Sequence, residues 1–436
     1  MKRMIDKELL EWKKDKNRKV LLVRGARQVG KTYSIRKLGR GFKYFVEINF
    51  EEKKGVEKFF ERSLDPREIV EKLSIYFNQP IKEGETLLFF DEIQACPEAL
   101  KSLRFFYEKM PLLHVVAAGS LLEFAISEIP SFGVGRIKSL FMYPMTFSEI
   151  LIASGEERLE QLILSASFEN PLETIIHEKI LDKLKIFQLI GGMPEVVKIY
   201  LQYRDIKQCQ ETLDNIVTGY MDDFSKYKKR SPVLRLREVF ESVIYQTGRK
   251  FKYSNVGSGN IQAYRDAVEL LIKAGLAYKV LHTAARGLPL GAQVNNKKFK
   301  VLILDTGIYQ RIQGLELSSY ILSNFVDIIN RGNLSELFVG LEIIANDSPI
   351  KHPRLYYWHR ESRSSNAEVD YVISKEGKVV PIEVKAGTRG KMQSMQIFLK
   401  ERNLNQGIRI SAENFSDYGK IKSIPIYAVK NIIFPI

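Results

Sequence analysis

Cysteine is almost missing from this chain. Cys96 and Cys209 are the whole supply, and their spacing matches neither a disulfide framework nor a zinc module. Five scattered histidines add no metal cluster. Long apolar runs are missing as well: nothing approaches the roughly 18 residues that a membrane span requires. The opening "MKRMIDKELLEWKKDKNRK" has basic residues but lacks the apolar segment of a secretory signal. These absences point to a cytoplasmic, reducing compartment and to no membrane partner. Acidic residues are in deficit, 52 against 67 Lys and Arg, for a formal net charge of +15. Such an excess suits polyanions, nucleic acid among them, although a lysine-rich surface can be basic without one. Between Lys226 and Lys252 the excess is local, with nine Lys or Arg against Glu238 and Glu241.

What is present fits an ordinary folded protein. The 436 residues, 45% hydrophobic and 27% charged, are enough for two to four domains with their own cores. The strongest local pattern is "KVLLVRGARQVGKTYSIRKL", residues 19–38. A buried-strand run, Val20 to Val23, leads into Gly25-Ala26-Arg27-Gln28-Val29-Gly30-Lys31-Thr32, and a helical pattern follows. That is the strand–loop–helix context of a P-loop. Glycines let backbone N–H groups turn inward around phosphate, and the helix N-terminus adds its dipole. Lys31 would reach the β- and γ-phosphates and Thr32 would ligate Mg²⁺.

A second element supports the first. "TLLFFDEIQ" is an apolar run, Leu87 to Phe90, ending in Asp91-Glu92. An uninterrupted apolar strand is buried on both faces, as in a parallel sheet. Asp91 at its carboxyl end is placed to hold Mg²⁺, and Glu92 to polarise an attacking water. A kinase has no use for that second acid, so the pair favours ATP hydrolysis. "YFVEINF" (44–50) and "LHVVAAGS" (113–120) read as further strands. Ser120 is either a polar sensor of the γ-phosphate or a helix N-cap. Arg136, in "GVGRIKSL", is a candidate phosphate contact in cis or from a second copy, which would make the chain a homo-oligomer.

The order "GARQVGKT", "LLFFDEIQ", "AAGSLLEF", "GRIKSLFMYPMTFSEIL" and "GGMPEVV" resembles a family of prokaryotic AAA-superfamily ATPases. They are related to the STAND-like signalling ATPases and carry a C-terminal domain of unknown function. The resemblance covers nearly the whole chain. It implies ATP and Mg²⁺ as cofactors and an ASCE-type core in which the P-loop strand flanks the Walker B strand. It also implies that the Gly191–Pro194 turn lies near the nucleotide base, with Pro194 as a contact. By itself, that turn reads as one helix stopping and another starting.

Residues 155–230 carry helical periodicity with little punctuation and read as a lid on the ATPase. From Pro232 a basic turn, a helix ending at Gly275 and an alternating strand suggest a winged helix–turn–helix, which serves DNA contact or protein docking equally well. In "EVDYVISKEGKVVPIEVKAG", residues 368–387, a two-residue loop at Glu376-Gly377 pairs residues whose numbers sum to 753. Asp370 then faces Glu383, and Glu368 faces Lys385, all on one face. The opposite face would carry Val369, Tyr371, Ile373, Ile382 and Val384. Asp370 with Glu383-Val384-Lys385 resembles the D…E-x-K signature of restriction-endonuclease-like nucleases, and Glu336, in "NLSELFVGLEII", matches their upstream acid. In that reading the carboxylates fix a hard cation against a phosphate and Lys385 stabilises charge. Asp305-Thr306, in "KVLILDTGIYQ", reads as a helix N-cap.

The expected architecture is therefore α/β throughout. A RecA-like P-loop AAA core (1–152) is followed by a helical lid (153–231), a winged helix (232–294) and a restriction-endonuclease-like domain (295–436). The expected activity is Mg²⁺-dependent ATP hydrolysis driving a switch. For the C-terminal half three options stay open: nucleic-acid binding with or without cleavage, a scaffold for a protein partner, and a DNA-stimulated motor.

Overall fold

The computed structural model describes residues 1–120, 122–129, 132–133, 135–227, 231–315, 332–360, 366–388, 390 and 392–433. Of the basic stretch noted above, Lys228, Lys229 and Arg230 lie outside these residues, as do 361–365 of the polar loop before Glu368. The chain divides into two compact units. One is Met1–Tyr143 with Lys273–Gly275 and Ser348–His352; the other is Pro144–Ile272 with Leu276–Asp347 and Pro353–Ile436.

The first unit opens with α1 (Ile5–Lys14), whose Ile5, Leu9 and Trp12 recur at helical spacing and are buried together. There follow β1 (Val20–Arg24), α2 (Lys31–Gly39), β2 (Tyr44–Asn49), α3 (Lys58–Glu61), α4 (Pro66–Phe77), β3 (Thr86–Asp91), α5 (Pro97–Lys109), β4 (His114–Ala118), α6 (Leu122–Ser127) and β5 (Ile137–Phe141). The strands form one sheet in the order β2-β3-β4-β1-β5, and every pair is parallel. All residues of β3 and β4 are buried, as their unbroken apolar runs require in a sheet covered on both faces. Phe50, Phe60, Phe90 and Phe106 meet at ring-centroid distances of 5.6 to 5.8 Å on one side of it. Such rings each bury enough surface to contribute roughly 1.5–3 kcal/mol. One expectation fails here. The P-loop strand β1 does not flank the Walker B strand β3, because β4 lies between them. Strand β5 was not anticipated; only Leu140 of its five residues is fully buried, so its apolar pattern is faint.

The second unit begins where Thr146 caps α7 (Phe147–Ala153) in a capping box with Glu149. The last residues of the expected 1–152 core thus fall in the second unit. Helices α8 (Glu157–Ser165), α9 (Thr174–Ile190), α10 (Pro194–Tyr203) and α11 (Ile206–Asp223) follow. The long helical run after Pro194 is broken at Arg204, which is left-handed, and restarts at Asp205, whose side chain caps α11. Next come α12 (Val233–Tyr245), a 3₁₀ turn at Tyr253–Asn255, α13 (Ile261–Lys273), β6 (Ala277–Thr283) and β7 (Val294–Ile303). The helix–turn–helix–hairpin order is the one anticipated. The hairpin does not close a separate module at 294/295, however. Strand β7 pairs along β6 from Val294 to Ile303, and β6 also carries β8 (Leu355–His359) on its other edge.

The chain continues with α14 (Thr306–Ile312) and α15 (Gly332–Asn346). After β8 come β9 (Glu368–Val369), β10 (Tyr371–Lys375), β11 (Lys378–Val384), α16 (Gln393–Arg402), β12 (Gly407–Ser411), β13 (Ser416–Tyr418), β14 (Ile421–Pro425) and α17 (Lys430–Ile433). Two sheets result, β7-β6-β8-β9 and β10-β11-β12-β14-β13. The β10–β11 hairpin has the register read from sequence, Tyr371 opposite Ile382 through Lys375 opposite Lys378. Glu376 and Gly377 both have positive φ, at 50° and 72°, as the two central residues of a type I′ turn require. The register ends one residue short of the acids. Chain pairing switches at Asp370, and Glu368 and Val369 pair with His359 and Trp358 instead. The expected ladder pairs Asp370–Glu383 and Glu368–Lys385 are therefore not formed.

Candidate functional site

In the first unit the strand–loop–helix stretch has the geometry its glycines promise. Gly25 and Gly30 take φ of 144° and 96°, and a Cβ on Gly25 would collide with the Met142 carbonyl. Gln28 is also left-handed, at φ 66°. Lys31 begins α2, is 7% exposed, and donates to the loop's own carbonyls, Gly25 O at 3.0 Å and Ala26 O at 2.7 Å. Burial is the largest influence on its ammonium and pulls the pKa down to about 8, against the attraction of Glu92 and Asp91. From the second position of α2, the Thr32 hydroxyl donates to Asp91 Oδ2 at 3.0 Å. Burial pushes Asp91 up to about 6. A buried lysine and a buried carboxylate, each held away from its ordinary charge state, fit a site built for an external anion and cation. A hydroxyl set against a carboxylate is a donor pair for a hard metal such as Mg²⁺.

Glu92 follows Asp91 in the left-handed region, at φ 48°, an uncommon conformation for a residue with a side chain. Its N–H donates to Asp91 Oδ1 at 3.1 Å, and its Oε2 accepts from Gln94 Nε2 at 2.6 Å. Ser120 sits buried two residues beyond β4. Arg136 pairs with Glu108 of α5, so in this structure its guanidinium is engaged within the unit. Sequence reading missed Arg3. Its guanidinium is buried and donates to Val29 O at 2.8 Å and Tyr143 O at 2.7 Å, tying the chain's start to the P-loop. An arginine before a helix carries no motif, so nothing in the sequence marks it.

In the second unit the Gly191–Gly192 turn has a local explanation. Asp305 is buried and caps α14 by accepting from Ile308 N at 3.0 Å, as read from sequence, and it also accepts from Gly192 N at 2.6 Å. A Cβ on Gly191 would strike the Asp305 carboxylate, and one on Gly192 would strike the Met145 carbonyl. Burial raises Asp305 to about 6. Pro194 is the first residue of α10.

The same unit gathers the C-terminal acids, but around a residue that sequence reading passed over. Lys300, on β7, is fully buried. Its Nζ lies 2.7 Å from Glu336 of α15, 2.6 Å from Glu368 of β9 and 3.8 Å from Asp370. Lys250 lies 3.7 Å from Glu368. Asp370 Oδ2 accepts from Val384 N at 2.8 Å, and Tyr371 Oη donates to the Glu336 carbonyl at 2.7 Å. Glu383 is buried and pairs with Lys385 at 2.7 Å, while its other oxygen, Oε2, is buried without a hydrogen-bond partner. Burial raises Glu336, Asp370 and Glu383 above the usual carboxylate range. For Lys300 burial works the other way, yet the attraction of Glu336, Asp370 and Glu368 outweighs it and holds the ammonium above its ordinary value. The available signal was the lysine in "KFKVLILD", a charge at the head of a buried apolar run.

Comparison with known proteins follows this division. Residues 17–151 match the family model described as AAA domain. Residues 181–319 and 331–429 match two models described as domains of unknown function, DUF8612 and DUF4143. The chain thus carries an AAA-type P-loop ATPase domain. No curated protein matches it. Among solved structures, a Walker-type ATPase of Pyrococcus abyssi shares 15% identity over 72% of this chain and 95% of its own, with a TM-score of 0.47. The ORC1 protein of Aeropyrum pernix in complex with DNA shares 12% over 74% and 95%, with a TM-score of 0.30. A STAND protein with a tetratricopeptide repeat sensor from Pyrococcus horikoshii shares 10% over 77% and 47%, with a TM-score of 0.27. Among the described residues no helix is long and apolar enough to cross a membrane.

Proposed function

We propose that the chain hydrolyses ATP with Mg²⁺ and works as a nucleotide-driven switch. One observation carries the reading: the Thr32 hydroxyl meets the Asp91 carboxylate at 3.0 Å, and a second carboxylate, Glu92, follows in the strand's exit turn. Bound nucleotide and Mg²⁺ supply the γ-phosphoryl group and the charge that neutralises its oxygens. The chain's own residues do the rest. Backbone N–H groups from Gly25 to Thr32 cradle phosphate, and Lys31 gives up its loop carbonyls for phosphate oxygens. Thr32 and Asp91 hold the metal, Glu92 orients water and accepts its proton, and Ser120 senses the γ-phosphate. Arg136 reaches phosphate only by leaving Glu108, which suits a contact made between copies in a homo-oligomer. Pro194 is assigned to the base on the family resemblance alone.

Beyond the ATPase domain, α8 to α11 are read as the lid and α12 to β7 as a winged helix. Residues 295–436 are read as a restriction-endonuclease-like domain. Helix α15 ahead of an antiparallel β10–β11 pair, which crosses through α16 to a parallel β12, supports that reading. The +15 net charge supports a nucleic-acid ligand. A second reading, an ATP-gated scaffold that binds a protein partner and cuts nothing, draws support from Lys300 among the acids.

The test is ATP turnover and nucleotide binding by the full chain. Lys31→Ala is expected to lose both, and Glu92→Gln to bind nucleotide but slow turnover by about 10²–10⁴-fold. Unchanged turnover in Glu92→Gln refutes the assignment. Plasmid and oligonucleotides with Mn²⁺, with and without ATP, separate the two C-terminal readings: cutting that is lost in Glu383→Ala marks a nuclease.

A further inference from the structure

The nuclease-like reading implies a divalent cation held by Glu336, Asp370 and Glu383, and the residues around those acids do not fit one. Lys300 reaches the cluster from a strand fixed on both sides, with Val280 of β6 opposite it on one edge and a bridge to Lys250 on the other. Its side chain is wholly enclosed, and the Tyr357 ring, also buried, lies 5.4 Å from Nζ. An ammonium has three donors. Two of them are satisfied at 2.7 and 2.6 Å by the Glu336 and Glu368 carboxylates, and Asp370 stands at 3.8 Å on a third side. A metal ion would have to take these same oxygens.

Charge makes the same point. Three lysines, Lys250, Lys300 and Lys385, stand against four carboxylates, Glu336, Glu368, Asp370 and Glu383. Full ionisation leaves one negative charge, so a dication would turn a nearly balanced buried cluster positive. Buried charges are tolerated only where they are paired. Here the pairing is already supplied from within the chain.

We propose that Lys300 is the resident cation of this carboxylate cluster and that, while it is in place, the cluster takes no divalent metal ion. The domain then holds the acids of a phosphodiester-cleaving site in a form that engages its ligand without metal-assisted hydrolysis. Glu368, half-exposed at the cluster's edge and shared between Lys300 and Lys250, also lines a cavity of about 770 Å³ with Arg249, Lys250 and Lys252. That cavity is the approach from which a ligand would meet the cluster.

The test is calorimetric titration of the full-length, nucleotide-free chain with Mn²⁺. Asp91→Asn identifies any signal from the P-loop, and Glu336→Gln and Asp370→Asn identify any signal from the cluster. In the wild type, Glu336→Gln and Asp370→Asn are expected to leave Mn²⁺ binding unchanged. Lys300→Met is expected to gain a Mn²⁺ site at least tenfold tighter than any the wild type has there, and Lys300→Met with Glu336→Gln to lose it. A wild-type site weakened tenfold or more by Glu336→Gln overturns the proposal. So does a folded Lys300→Met chain that gains no site. Should Lys300→Met fail to fold, the wild type against Glu336→Gln decides alone. The inference does not depend on ATP hydrolysis, and turnover measured on the same samples tells the failure of one from the failure of the other.

Discussion

Lys31 is expensive for the protein without nucleotide, and its removal should stabilise the first unit. Burial takes its pKa from 10.5 to about 8. At about 1.4 kcal/mol per unit, that shift corresponds to roughly 3 kcal/mol of penalty for the charged form. Lys31→Met keeps the length and apolar stem and removes the charge. It also gives up the bonds to Gly25 O and Ala26 O, each contributing about 0.5–1.5 kcal/mol net. The balance is a gain of about 1 kcal/mol, or roughly 2–4 °C in midpoint for a unit of this size. The folded-state pKa is depressed, so the penalty is complete below about pH 8 and vanishes as pH rises toward 10.5. The advantage of Lys31→Met should therefore be largest at pH 7 and shrink by pH 9.5. Two tryptophans make the assay selective: Trp12 lies in the first unit and Trp358 in the second. In a Trp358→Phe background, Trp12 fluorescence follows the first unit through urea unfolding. A variant less stable than its parent at pH 7, or an advantage that grows with pH, refutes the reasoning.

Asp91→Asn should behave as the acidic counterpart. The folded pKa of Asp91 is raised to about 6, so its stability contribution is complete below pH 4 and lost as pH rises through 6. The variant should thus be about 1–2 kcal/mol more stable at pH 7.5, with the gap closing between pH 6 and 4, and should not turn over ATP. Asp305→Ala should destabilise the second unit by about 2–4 kcal/mol, since it removes the α14 cap and strands the Gly192 N–H, as read by Trp358 fluorescence in a Trp12→Phe background. Tyr371→Phe should cost about 1 kcal/mol in the same assay, through its bond to the Glu336 carbonyl.

The nucleotide site was legible because its parts are contiguous. Gly25 to Thr32 form one loop, and Asp91-Glu92 end one strand, so a spacing rule captures them. The hairpin register from Tyr371 to Ile382 was legible for the same reason, since a two-residue turn fixes it. Strand order was not, because the insertion of β4 between β1 and β3 leaves no trace in the order of strands along the chain. The Lys300 cluster was the hardest to see. Its members come from β7, α15, β9 and the turn at Asp370, and the local switch of Glu368 from one strand partner to another broke the alternation on which the face assignment relied.

The two buried lysines sort the chain's charged sites by what they still need. Both sit in apolar surroundings that disfavour an ammonium. Lys31 has only carbonyls in contact and its carboxylates at longer range, and its pKa falls to about 8. Lys300 touches two carboxylates and sits near a third, and its pKa rises. The anion that would settle Lys31 is outside the chain, and the anions that settle Lys300 are inside it. A site with an unmet charge gains free energy when a ligand arrives, and that gain is what can drive a conformational switch. A site whose charges are already met has no such gain to offer an ion. The energetic coupling to nucleotide should therefore originate at Lys31 and Asp91, and the C-terminal cluster should act as a fixed recognition surface.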